Sequence, residues 1–465
     1  MNINTQTTPM IKSLSLLVVL SLGISLACKS LSISGNPEGG QTELPPTNAD
    51  LSITNEPSTP VAVPHSSEWR NNWLHFGVDN QFSSYNPNET LITRDNVADL
   101  TQIWGAGCGD DNFSIYGGTP ALYHGRIIVT YAGGQLEAGD PYTGQMLWHF
   151  GDRANAWAPP PVASTDGIIY YLYVNDDASA SLYAINPETG QQIWEAVTQF
   201  KTGFNSSAQV TVDEKNDSIY ILEDVFGDGR LYAVDRNTGE IKWFLGNKWE
   251  QEGDITFRGD IVPLKEDKLY VPAAVPADDG KQERMVRVDT LAQKVDIQYD
   301  LPQGVDLSWH VGWYGLCGDH LFESYRENSY LDPATLLAAH TVDQPGVAWQ
   351  MNISGQSGRL ACNAQKNVVY IPTDQGLLAL NADTGDTIWN HQSINSVFTP
   401  TIANGIVYYI SDTNMYALSE EDGSQLFRYP LGTNGDPATG VAVNDGLVVF
   451  SGSGGTCDLH VLGLP

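Results

Sequence analysis

A chain of 465 residues with 55 Asp and Glu against 23 Lys and Arg has a formal charge of -32, a field that repels phosphate backbones and anionic lipid heads and so excludes a nucleic-acid partner. Aromatic residues at 10% with charged residues at only 17% exclude a disordered chain and fit a β-rich fold with a sizeable core. Length alone corresponds to about three domains, but the repeats described below combine into one.

Lys12 precedes an apolar run over residues 14–27 that is short for a bilayer span and ends in Ala27 before Cys28. Residues 1–27 therefore read as a bacterial export signal. Ser25-Leu26-Ala27-Cys28 resembles a lipoprotein cleavage box, although Ser25 stands where that pattern prefers an aliphatic residue. The expectation is lipidation of Cys28; ordinary cleavage nearby and an uncleaved anchor are the alternatives. Residues 28–67 are rich in Pro, Ser, Thr and Asn, with too little apolar surface to offset ordering entropy, and read as a flexible tether. The folded domain is expected over residues 68–465. It starts with a lead-in containing Trp69, Trp73, Phe76, Asp79 and Tyr85, and residues 100–106 around Trp104 form a strand with no hairpin of its own.

Beyond the lead-in a spacing recurs: Ala, one residue, Asp or Asn, two residues, Thr-Gly, three residues, Trp. It is complete in Ala138-Asp140-Thr143-Gly144-Trp148, Ala184-Asn186-Thr189-Gly190-Trp194, Ala233-Asp235-Thr238-Gly239-Trp243 and Ala379-Asn381-Thr384-Gly385-Trp389. Ala417-Ser419-Asp422-Gly423-Phe427 keeps the spacing with softer residues. Each copy predicts a β-hairpin: Gly accepts positive φ, the Asp or Asn side chain bonds the turn backbone, and the second strand runs into the Trp. Two further strands fit between copies, the inner one marked by small residues and Pro. Two units are degenerate. One keeps Asp289 but has Gln293 for Gly and Ile297 for Trp; the other, residues 330–340, keeps Asp332 and Thr335 and puts His340 in the Trp place, leaving residues 342–351 as an extra stretch. Trp-equivalents then fall at 104, 148, 194, 243, 297, 340, 389 and 427, about 46 residues apart, as blades of a propeller do.

This repeat resembles that of the pyrroloquinoline quinone (PQQ) type β-propellers, found in quinoprotein dehydrogenases and in non-enzymatic propeller lipoproteins, and the lead-in is similar to the one before their first blade. The resemblance implies an all-β, eight-bladed propeller whose last blade combines strands from both chain ends. A tryptophan at a fixed place in every blade reads as packing between sheets.

A propeller's usual site is its central channel, and the inner segments of the second to sixth blades break the small-residue pattern. The ligand-binding candidates there are Trp157, Asn205, Arg258, Asp260, Trp309, His310 and Arg359: aromatic, Arg, Asn and His groups suit a small polar ligand. Arg258 with Asp260 also reads as a structural ion pair, and His310 as a satisfied histidine. The adjacent cysteines of many alcohol-oxidising members are absent, and no motif carries a catalytic or metal-ligating role onto a residue here. The expectation is therefore a monomeric, lipid-anchored, non-catalytic propeller of the cell envelope that binds a protein or a small ligand and holds no cofactor. The alternative is a quinoprotein dehydrogenase that uses PQQ and calcium on an alcohol or sugar. Four cysteines remain besides Cys28. Ring closure predicts a Cys108–Cys457 bridge within the last blade and a Cys317–Cys362 bridge between the fifth and sixth, both partners lying between the first two strands of their units.

Overall fold

The computed structural model describes residues 77–465 apart from 107–119, 124, 131–134, 152–161, 164–166, 175–178, 202–209, 226–227, 247–254, 260, 278–279, 307–308, 328–333, 354–356, 394–397, 412–413, 432–439 and 452–458. The export signal, Cys28, the tether, Cys108 and Cys457 lie outside the described residues. All that follows concerns the unit Val63–Pro465.

Among the described residues the strands form eight sheets, each built on four antiparallel strands, and together they make an eight-bladed propeller. Blade 1 is Ala121–Tyr123, Arg126–Thr130, Leu136–Gly139 and Met146–Phe150, from inside to outside, and the next six repeat that order. Inner strands of neighbouring blades touch, from Trp309–Cys317 through Ala361–Asn363, Thr401–Ala403 and Ala442–Asn444 to Ala121–Tyr123, so they ring the axis. Second strands are buried on both faces, as Ile406–Ser411 shows, and their Val, Ile and Tyr content suits that place. In the outermost strand Met146–Phe150 only Trp148 is buried. Blade 8 joins Ala442–Asn444, Leu447–Ser451 and Leu459–Gly463 to Thr101–Ala106, with Trp104 opposite Val461. The unpartnered strand of the lead-in thus closes the ring.

The repeated hairpin has a physical cause at each position. Asp140 Oδ1 accepts from the amides of Tyr142 at 2.9 Å and Thr143 at 2.8 Å, and Asn186, Asp235 and Asn381 bind their turns in the same way. Gly190 takes φ 69°, and a Cβ there would stand 2.7 Å from the Trp148 ring of the preceding blade. The same indole donates to Pro187 O of that turn at 2.9 Å, as Trp104 does to Pro141 O, Trp194 to Arg236 O, Trp349 to Ala382 O and Trp389 to Glu420 O. Turn glycine and tryptophan are therefore two halves of one contact between blades.

The fifth blade corrects the sequence reading. Its outermost strand is Val347–Asn352, and Ala339 pairs with Trp349 as Ala184 pairs with Trp194. The supposed extra stretch holds the turn and the true motif tryptophan, while His340 lies in the third strand, Ala334–Thr341. Thr341, Gln344 and Pro345 replace Asp, Thr and Gly in this copy, which is why the spacing was hidden. Gln293 of blade 4 does take the glycine's left-handed conformation, at φ 53°. With Ile297 in the Trp place, the turn carbonyl of Val342 accepts from Tyr299 Oη at 2.7 Å and Arg287 Nη1 at 3.1 Å, so a phenol and a guanidinium take over the indole's bond.

Cys317 and Cys362 are bridged, with Cα atoms 5.4 Å apart. They lie within the innermost strands of blades 5 and 6, Trp309–Cys317 and Ala361–Asn363, not between the first two strands as the spacing predicts.

Candidate functional site

Inner strands run along the axis, so residues at their starts gather at one end of the channel and the turns to the second strands at the other. Trp309 and His310 open the inner strand of blade 5, whose far end is Cys317. Arg258 follows Thr256–Phe257 in blade 4, and Arg359 precedes Ala361–Asn363 in blade 6. Trp157, Asn205 and Asp260 lie outside the described residues, as does any pairing of Arg258 with Asp260.

Tyr314 of blade 5 connects these groups. Its hydroxyl donates to Ile261 O at 2.6 Å, its ring lies 5.9 Å from the Arg359 guanidinium carbon, and a Cβ on Gly259 would stand 2.4 Å from its oxygen. Gly259, at φ 104°, lets the backbone beside Arg258 approach the tyrosine. The backbone after Arg258, the Tyr314 phenol and the Arg359 guanidinium thus meet across three blades, and the cation over the ring is an attractive pair. His310 is oriented by a residue the sequence reading missed: Glu283, on the third strand of blade 4 and nine-tenths buried, accepts from Val311 N at 3.2 Å and stands 3.3 Å from His310 Nδ1. No signal marked it in the sequence, because its strand, Gly280–Asp289, also carries Lys281, Gln282, Arg284, Arg287 and Asp289. Such a carboxylate–imidazole pair can hold a polar ligand or pass a proton.

A second missed pair lies deeper. Glu323 and His340 of blade 5 are wholly buried, with Nε2 2.6 Å from Oε1, and Nδ1 is 3.2 Å from Gly346 O. Both ring nitrogens face oxygen atoms, an arrangement that favours the doubly protonated ring. Burial pulls the His340 pKa down, but the hydrogen bond and charge of Glu323, with the Gly346 and Pro345 carbonyls, outweigh it and leave His340 above its ordinary 6.5.

The quinone and calcium implied by the resemblance can be tested on these residues. Calcium takes 6–8 oxygen ligands. Among the described residues no group of three or more His, Cys, Asp or Glu could hold a metal ion, and both oxygens of Glu283 are engaged by His310 and Val311. Among the described residues, then, no acidic donor set of that size gathers around Glu283.

Comparison with known proteins places the fold in a family. The quinoprotein ethanol dehydrogenase of Pseudomonas aeruginosa is 28% identical over 204 residues, covering 40% of this chain and 33% of that protein. The outer membrane protein assembly factor BamB of Yersinia pestis is 21% identical over 393 residues, covering 80% of this chain and 93% of that protein. A solved quinohemoprotein alcohol dehydrogenase from Pseudomonas putida HK5 superposes with a TM-score of 0.62 at 14% identity, covering 85% of this chain and 80% of that one, which bears on fold alone. The chain spans between about a third and two fifths of the length of the quinoprotein dehydrogenases first matched. A family model described as outer membrane protein assembly factor BamB matches residues 69–223 and 335–460, more than half of the sequence, and the chain therefore belongs to this PQQ_2 family of propellers.

Proposed function

We propose that this protein is an extracytoplasmic, lipid-anchored, non-catalytic propeller that binds a protein partner or a small ligand at the cell envelope. The observation that carries the reading is the engagement of Glu283: this buried carboxylate on the third strand of blade 4 is bound by His310 and Val311 at the start of blade 5's inner strand, which suits a fixed recognition surface better than a metal–quinone cradle. The mutual coverage of this chain and the Yersinia pestis assembly factor supports the same reading and points to a component of outer-membrane assembly as the partner class. A second reading, a PQQ- and calcium-dependent dehydrogenase acting on an alcohol or sugar, is supported by the ethanol dehydrogenase likeness and the shared fold.

Affinity capture of the tethered protein from its own envelope tests the proposal, run beside the variants Trp309→Ala and Arg359→Ala. A protein retained by the parent and reduced at least about tenfold by either variant supports recognition at the strand-start end, a drop of roughly 1.4 kcal/mol or more in binding. Equal capture by all three would remove that end from the proposal.

A further inference from the structure

The lead-in does more than deliver the closing strand, and its residues reach the ring one blade at a time. Asn80 Nδ2 donates to Val212 O of blade 3 at 2.6 Å, while Asn80 O accepts from Leu264 N of blade 4 at 2.7 Å. Phe82, 4% exposed, packs with Ile261 and Tyr314 of blades 4 and 5. Ser83 O accepts from Cys362 N of blade 6 at 2.7 Å, and Ser84 O from Ile402 N of blade 7 at 2.8 Å. Tyr85–Asn86 then run parallel to Thr401–Ala403, and Asn86 Nδ2 donates to Val443 O of blade 8 at 2.8 Å. Glu89 Oε2 finally accepts from Gly446 N, in the turn after the inner strand of blade 8, at 3.1 Å.

These contacts lie toward the turns that follow the inner strands, opposite Trp309 and His310. The amides of Leu264, Cys362 and Ile402 belong to the edges of inner strands, where a propeller has no further strand to pair them, and a buried unpaired amide is costly. The segment is also held in its own shape. Asp79 Oδ1 accepts from Gln81 N at 2.9 Å and Ser83 N at 3.1 Å, and Oδ2 from Ser83 Oγ at 2.6 Å. Gly77 O accepts from the amides of Asp79 and Ser84, both at 2.8 Å. Val78, Phe82 and Ser84 take φ of 69°, 57° and 53°, a strained conformation that persists only where the surroundings over-determine it. A Cβ on Gly77, itself at φ 87°, would stand 2.7 Å from the Phe82 backbone.

We infer that residues 77–89 form an internal strap that seals the turn end of the central channel and serves as a second ring closure, independent of the strand pair in blade 8. A ligand is then shut out at the turn end, and access falls to the strand-start end, where Arg258, Trp309, His310 and Arg359 stand. The strap spans blades 3 to 8 and welds their inner strands to one another.

Residue-resolved hydrogen–deuterium exchange on the full chain tests the inference. In the parent protein the amides of Leu264, Cys362 and Ile402 exchange at least about a hundredfold more slowly than they would in an unfolded chain; fast exchange at these three overturns it whatever the variants do. Gly77→Ala dislodges the strap: the three amides speed up tenfold or more, while those of Leu172 and Ile221 inside blades 2 and 3 keep their rates. Unchanged protection in that variant, with the cysteine of Asn86→Cys in the same background newly open to a maleimide, overturns the inference, since the strap would have left without exposing the amides. If Gly77→Ala loses protection everywhere, the milder Glu89→Ala carries the test. It frees the Gly446 amide, which the Glu89 side chain holds, while Ile402 stays protected, and no change at Gly446 contradicts the strap.

Discussion

His340 faces Glu323 on one side of its ring and Gly346 O on the other with no solvent contact, so both ring nitrogens take their partners from the fold. Because its folded pKa lies above 6.5, the pair contributes stability that is fully present below that value and lost as pH rises through the folded pKa. Urea unfolding from pH 6 to 9 should therefore show the parent losing stability relative to the double variant His340→Gln/Glu323→Gln; a parent that gains on that variant over this range contradicts the assignment. Glu323→Ala alone should cost about 1–3 kcal/mol, since it leaves a buried imidazole nitrogen without its hydrogen-bond partner. At this scale the sequence was partly legible. Arg258, Trp309, His310 and Arg359 stood out because they interrupt a run of small inner residues. Glu283, Tyr314 and Glu323 did not, because a carboxylate or phenol in a strand gives no sign of which face it takes until the blades are placed.

At the scale of the element, the unit is the hairpin whose glycine receives the tryptophan of the blade before it. Trp194 donates to Arg236 O at 3.1 Å and lies against Gly239, where a Cβ would stand 2.9 Å from its ring. Trp194→Ala should cost about 3 kcal/mol in chemical denaturation, at the low end for a large aromatic because the indole is partly buried. A loss below about 1 kcal/mol would mean that the indole does not wedge the blades. Hairpins were legible wherever Asp or Asn with Thr-Gly set the turn. They were lost in blade 5, where Gln344 and Pro345 close the turn by other means and the search fixed on His340 instead of Trp349. The bridge between the inner strands of blades 5 and 6 closes a segment with a sequence separation of 45. On the chain-entropy account, replacing both Cys317 and Cys362 with Ser should cost about 4 kcal/mol. Unchanged unfolding in the serine variant would show that the neighbouring strand contacts suffice.

For the whole molecule, the ring count and its closure were legible because the last unit lacks one strand and the lead-in has one to spare, and Thr101–Ala106 does pair with Leu459–Gly463. The strap was not legible: Asn80, Ser83 and Ser84 bond largely through backbone groups, which leave no mark in side-chain pattern. Residues 28–67 enter the account as a tether, and deleting 29–67 should leave the melting temperature of the propeller unchanged; a large drop would show that the segment packs on it. The central claim is that this propeller recognises a partner and does not oxidise a substrate. The most direct measurement adds PQQ and calcium to the purified full chain and follows dye-linked oxidation across alcohols and sugars, with cofactor binding read by calorimetry. The account predicts no turnover above the protein-free mixture and no saturable heat. Saturable PQQ binding accompanied by calcium-dependent oxidation of an alcohol or sugar would contradict it.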